Sequence, residues 1–357
     1  MLHRWTADVA IAESKRQAGQ ARVGKRHHHV PQMYLRRWAG ADGRVRLTNL
    51  ASGNSYLQPP KEVARRDNLY RISADDLPAE FPGLWFEKHM SRIESEATAW
   101  FKALDDVPDG RLRDQELIAD MAVFVALQDQ RTLRQHQQEL RIEDALNRFG
   151  RREVLGPMLP DVCRLYGIPY SLRFHDQILQ RFLDQPLVSR ERKPRALESA
   201  IGVWRNRAVP YFTSQRTWWL ISSASSLLTC DEPIVYLGGS VRRRWETASW
   251  ATSPIVLFPI GPHRLLVLTD NANELGEPYQ LSRTEAGQVN FEVVAASNQF
   301  CYEHPAVNVA ASIDVPRRSD YDPALATTFA EAVLEPSRWN EGEGPEWAVP
   351  RWYSGTG

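Results

Sequence analysis

The sequence predicts an α+β fold, with a helical middle region packed on a mainly antiparallel C-terminal sheet. Between residues 84 and 140 apolar side chains recur at three- and four-residue steps. Beyond Pro210 they alternate or run in strand-length blocks. No internal repeat is visible, and the strands gather late instead of alternating with helices, which argues against a doubly wound sheet.

The elements follow in chain order. Residues 1–24 are polar and basic with weak periodicity, and are expected to form a loosely ordered arm. Tyr34, Leu35 and Trp38 fall at helical spacing behind Pro31, which suits a first helical turn. Ala41-Asp42-Gly43 and Ser52-Gly53-Asn54 flank a short hairpin strand at 45–50. A helix over 84–104 presents Phe86, Met90, Ile93, Ala97, Phe101 and Leu104 on one face. A second long helix is expected over 114–140, extended by or ending within the charged stretch up to Gly150. Short helices separated by Pro160, Pro169, Pro186 and Pro194 fill 157–210.

Strands are then expected at 218–222, 227–229 and 234–237, with a hairpin of 254–260 and 264–269 turning through Gly261-Pro262-His263. A helix at 285–297 and a strand at 299–302 complete a single domain spanning 25–335. Residues 336–357 are expected to be an acidic, poorly ordered tail.

With 43% hydrophobic and 25% charged residues, 357 residues are enough for a sizeable core. No apolar run approaches the ~20 residues that span a bilayer, so no membrane partner is expected. Cys163, Cys230 and Cys301 are odd in number and widely spaced, which supports neither a disulfide framework nor a zinc ribbon. With no secretory signal at the start, the expected compartment is cytoplasmic. The formal charge is zero but uneven: eight Lys and Arg against Asp8 and Glu13 in residues 1–40 give +6, and five Glu against Arg338 and Arg351 in residues 331–357 give −3. A basic head favours an anionic partner, and a solvated arm explains it equally well.

Three adjacent histidines, His27, His28 and His29, precede Val30-Pro31. Imidazole can ligate a divalent metal or move protons near neutral pH. Adjacent residues cannot all point one way, so at most two should converge. Glu87 and Glu94 are seven residues apart on one helix face, their α-carbons about 10 Å apart, too far to share one metal easily. Phe124, Gln128 and Arg131 continue an apolar stripe with polar groups, and a half-buried Arg needs a carboxylate or an anionic ligand, Glu94 being the obvious partner. Asp231 ends an apolar strand before Pro233, a place for a functional carboxylate or a plain Asx-turn.

Residues His27 to Trp38 resemble the opening signature of a bacterial family of uncharacterised proteins, domain of unknown function (DUF) 4238. Asn68-Leu69-Tyr70, the helices Glu87 to Glu94 and Phe124 to Arg131, Thr229-Cys230-Asp231-Glu232-Pro233, Pro259-Ile260-Gly261-Pro262 and Asn290 resemble its later markers in order. His29 stands where the family has an aromatic, Cys230 where it has Ser and Glu232 where it has Asn, so His27 and His28 carry over as the pair. The resemblance implies a shared polar site and brings no activity with it.

Three functions are open. One is a hydrolase of nucleic acid or another phosphodiester or nucleotide, active in defence, with His27, His28, Glu94 and Asp231 as its centre. Its divalent metal would sit on His27, His28 and Asp231, with Gln128, Arg131, Asn290 and Tyr34 binding substrate. Another is a non-catalytic protein that binds nucleic acid or an anionic small molecule. In the third the polar cluster is a structural network.

Overall fold

The computed structural model describes residues 3–19, 25–165, 167–185, 187–246, 248–270, 274–318 and 321–353. Helix α1 (Asp8–Ala18) leads into β1 (Arg26–His28), α2 (Gln32–Leu35), the hairpin β2 (Val45–Asn49) and β3 (Ser55–Gln58), and β4 (Arg65–Asp67). The helical region follows: α3 (Trp85–Asp105), short β5 (Gly110–Arg111), α4 (Gln115–Gln130), α5 (Leu133–Phe149), α6 (Arg151–Leu165), α7 (His175–Leu183), α8 (Arg192–Val203) and α9 (Val209–Ser214). Then come β6 (Arg216–Ser223), β7 (Thr229–Cys230), β8 (Val235–Leu237), β9 (Ile255–Gly261), β10 (Arg264–Asp270), β11 (Gln280–Leu281), α10 (Arg283–Ala296), β12 (Phe300–Glu303) and α11 (Phe329–Val333).

The α+β class therefore holds. The largest sheet runs β11-β6-β10-β9-β8, with β5 also on β6, and its β11–β6 pairing is parallel while the rest are antiparallel. A second sheet, β3-β2-β12-β7, joins the early hairpin to late strands, and β1 pairs with β4 in a separate two-stranded ribbon.

The central helix is α4. Met121 to Leu127 are all buried, so it is apolar all round rather than one-faced. Its Phe124 packs edge-on to Phe101 of α3 at 5.0 Å, and Phe258 of β9 stacks on Tyr34 at 5.1 Å, which ties the helices, α2 and the large sheet into one core.

Three expectations are corrected. The helix expected over 114–140 is broken: Arg131 caps α4, and Thr132 opens α5 by accepting the Gln135 N–H at 3.2 Å. The arm is not loose over residues 3–19. Trp5 and Ile11 are buried, Ser14 bonds His89 at 2.8 Å, and Arg92 of α3 donates to the Ala10 carbonyl at 3.1 Å, so α1 docks on α3. Residues 1–2 and 20–24 of that arm lie outside the described residues.

The tail is also built in over residues 336–353, and residues 354–357 lie outside the described residues. Arg338 donates to the carbonyls of Ala295, Pro316 and Ser297 at 2.7–2.8 Å. Arg244 makes two 2.6 Å bonds to Glu292 and lies 3.9 Å from the Trp347 ring centroid. Long-range pairing of Arg with carbonyls and indoles holds this segment, so its low apolar periodicity did not announce it.

Candidate functional site

The first two residues of the triple-histidine run lie in strand β1, and strand geometry decides their roles. Successive side chains point to opposite faces. His27 is buried, His28 is half-exposed, and His29 just beyond the strand is buried again. Register sets His27 opposite Arg66 and His28 opposite Arg65.

His27 is locked from the ribbon's far side. The Tyr70 N–H donates to its Nδ1 at 3.0 Å, and the two rings lie parallel with centroids 5.8 Å apart. The Tyr70 hydroxyl in turn donates to the Arg131 carbonyl. Arg131, almost wholly buried at the end of α4, donates to Glu94 of α3 at 2.6 Å and to the His28 carbonyl. One turn earlier, Gln128 donates to the His29 carbonyl at 2.9 Å. The His28 and His29 carbonyls are thus held by side chains at the end of α4, and Arg131 is held in turn by Glu94 of α3.

Several groups here remain unsatisfied. Among the described residues, Glu87 Oε2, Arg131 Nε, Gln128 Oε1 and His29 Nδ1 are buried with no hydrogen-bond partner. Burial pushes the Glu87 carboxyl up to about 7; neighbouring Arg131 opposes the rise and Glu94 adds to it. Burial also pulls His28 below its ordinary value and His29 down to about 3, so both imidazoles are neutral at pH 7. The His28 Nε2–H faces the Lys61 carbonyl at 3.3 Å, and Gln32 donates to its Nδ1 at 3.5 Å, both long bonds.

The chain matches the family described as a protein of unknown function (DUF4238) over residues 26–306, most of its length. It belongs to that family. No curated protein and no solved structure matches the chain.

In this DUF4238 protein the signature residues divide into two places. His27, His28, Tyr70, Glu87, Glu94, Gln128 and Arg131 meet in the cluster just described. Tyr34, Asp231, Thr229 and Asn290 do other work. The Tyr34 hydroxyl is buried, donating to the Pro259 carbonyl at 2.6 Å with Thr229 Oγ1 at 2.7 Å. Asn290 accepts the Leu228 N–H and donates to the Ser226 carbonyl, both at 2.9 Å, which fixes the turn before β7.

Asp231 is buried and accepts the backbone N–H groups of Asn298, Gln299 and Phe300 at 2.8–3.0 Å. Burial raises its pKa and these three bonds oppose the rise. Tyr34 and Asn290 thus spend their polar atoms on groups of the chain itself, and Asp231 caps the β12 approach.

The expected metal set is corrected with them. Both Asp231 oxygens are taken by backbone N–H groups and His27 Nδ1 by Tyr70. Among the described residues, no group of three or more His, Cys, Asp or Glu side chains is placed to hold a metal ion. The sequence reading put Glu94 rather than Glu87 at the centre; in the structure Glu94 is paired with Arg131, and Glu87 carries the buried oxygen without a partner. The signal that finds Glu87 is its place one helical repeat from Glu94, whose partner Arg131 is buried. A cavity of about 580 Å³ lies elsewhere, between the tail and Arg242, Arg243 and Trp245, and includes none of the cluster residues.

Proposed function

We propose that the chain is a hydrolase of phosphodiesters, in nucleic acid or a smaller nucleotide, working by acid–base chemistry at His28 and Glu87 instead of at a three-ligand metal centre. What carries the reading is the buried, unpartnered Glu87 oxygen, on a carboxyl held near 7, beside an arginine that is itself short of one bond. A group of that pKa is populated in both forms at neutral pH, the condition under which proton transfer is most effective.

In this mechanism water adds to phosphorus and the bond to the leaving oxygen breaks. Neutral His28 takes the proton from the attacking water through Nδ1, displacing the long contact from Gln32. Protonated Glu87 gives its proton to the leaving oxygen. Arg131, fixed by Glu94, supplies positive charge next to Glu87. His27 and Tyr70 position the strand and touch no substrate.

The test is hydrolysis of oligonucleotides and of bis(4-nitrophenyl) phosphate by purified protein. Glu87→Gln should keep the fold and lower the rate by about 10²- to 10⁴-fold. EDTA should leave the rate unchanged, and loss of activity on chelation restores the metal reading. Engagement of both His28 ring nitrogens and the bonds of Arg131 favour a second reading, in which the cluster only pins β1 to α3 and α4. Under that reading Glu87→Gln and His28→Asn change stability and no rate.

A further inference from the structure

The ribbon that carries His27 and His28 bears positive charge that the fold leaves largely uncompensated. Lys25, Arg26, Lys61, Arg66 and Arg71 are exposed, and Arg65 and Lys193 are half-buried. Within residues 25–31 and 61–71 the acids are Glu62, which pairs with Arg65, and Asp67, opposite Arg26 in the ribbon register.

The turn after β4 brings a further cation to the end of the ribbon. Asn68 takes a left-handed conformation (φ 54°), and Lys193 Nζ, reaching from α8, donates to its carbonyl at 2.8 Å. That bond holds a lysine against a segment already rich in arginine. Burial, and then Arg71, lowers the Lys193 pKa, as expected for cations brought together.

Like charges collected on a short ribbon cost self-repulsion that an anionic polymer would relieve. Three residues of paired strand extend roughly 10 Å, about three nucleotides at 3.4 Å of helix axis each. Tyr70, the phenol of these stretches, is buried, so among their described residues no Phe, Tyr or Trp ring is offered for base stacking. What the surface offers is charge alone, which reads phosphates and not sequence.

We propose that the β1–β4 ribbon, with the Asn68 turn and Lys193, is a tract for the sugar–phosphate backbone of nucleic acid, leading a polymeric substrate past His28 towards Glu87. The proposal rests on the hydrolase reading for what happens to the strand and names its substrate as a polymer rather than a free nucleotide. Recognition is independent of sequence.

The experiment is binding of labelled oligonucleotides of mixed sequence, read by fluorescence anisotropy across a salt series. The triple variant Arg26→Gln/Arg66→Gln/Arg71→Gln should bind about tenfold or more weakly. Its plot of log affinity against log salt should flatten by about 0.7 to 0.9 for each phosphate no longer neutralised. Its rate on bis(4-nitrophenyl) phosphate should match wild type, because the small ester needs no tract. Glu87→Gln should bind the oligonucleotide as wild type does.

If the triple variant fails to fold, the matching Arg→Lys triple, which keeps the charge, together with each single Gln change, carries the same comparison. Unchanged affinity and slope in the Gln variants overturn the tract, as does a wild-type protein that binds no oligonucleotide at low salt. Weakened binding in the Gln variants, with no phosphodiester hydrolysed by any preparation, leaves the tract standing and removes the hydrolase.

Discussion

At the Glu87 end of α3 a buried carboxylate oxygen and an arginine Nε have no hydrogen-bond partner, whereas at the end of β7 both oxygens of Asp231 are filled by three backbone N–H groups. Both corners are polar, both are built from residues of the same family signature, and both bury acids. The ribbon corner has a half-exposed face through His28 and Glu94. The Asp231 corner is enclosed, and its next residue, Glu232, is pushed up to about 8 by burial and by Asp231. A polar group whose bonds are all made inside the chain is architecture; one left short beside an opening is available to something else.

Arg131 gives the largest separation between the two. Arg131→Ala leaves Glu94 without its partner and β1 without a carbonyl bond, and should cost about 3 to 5 kcal/mol in urea unfolding. It should also abolish activity. Asp231→Ala orphans three N–H groups and should cost about 3 kcal/mol. Whatever fraction stays folded should still be active. An Asp231→Ala protein that is stable and inactive would reverse the assignment of the two corners.

How far the sequence could show this depended on the kind of interaction. Helix α3 was legible because burial on one face imposes a period on apolar residues, and α4 and the β9–β10 hairpin because burial on all sides concentrates them. The α4–α5 break was hidden, with no Gly or Pro at Arg131-Thr132. Yet Thr132-Leu133-Arg134-Gln135 has the spacing of a capping box, and Thr132 does cap α5. Strands β1 and β4 are three residues each and mostly charged, so they carry no alternation to read. The pairing of Arg131 with Glu94 was foreseeable from one helix face against another. The capping by Asp231 was not, because its partners are backbone groups 67 to 69 residues away.

Titration sharpens the comparison with a smaller effect. The Glu87 carboxyl lies near 7 in the folded chain against an ordinary 4.5. Between those values the folded chain binds more protons than the unfolded one, so stability falls as pH rises and levels off above 7. The full swing from this group is about 3 kcal/mol before relaxation of its surroundings reduces it. Glu87→Gln should remove that limb from a plot of unfolding free energy against pH. The limb from Glu232, which runs up to about 8, should remain in that variant and vanish in Glu232→Gln. Identical pH profiles for wild type and Glu87→Gln would mean that Glu87 is solvated and ordinary, and would remove its role as the acid.

Tyr34 provides the smallest change and the cleanest control. Its hydroxyl donates to the Pro259 carbonyl and contacts Thr229 Oγ1 in a fully buried site. Tyr34→Phe keeps the ring stacked on Phe258 and removes the hydroxyl donor to the buried Pro259 carbonyl, for a loss of about 1 to 2 kcal/mol. Both affinity for oligonucleotide and rate on a small phosphodiester should stay at wild-type values. A rate that fell with stability intact would place the Tyr34–Thr229 corner in contact with substrate, and the division of the signature into a reactive half and a bracing half would fail at the residue where it predicts least.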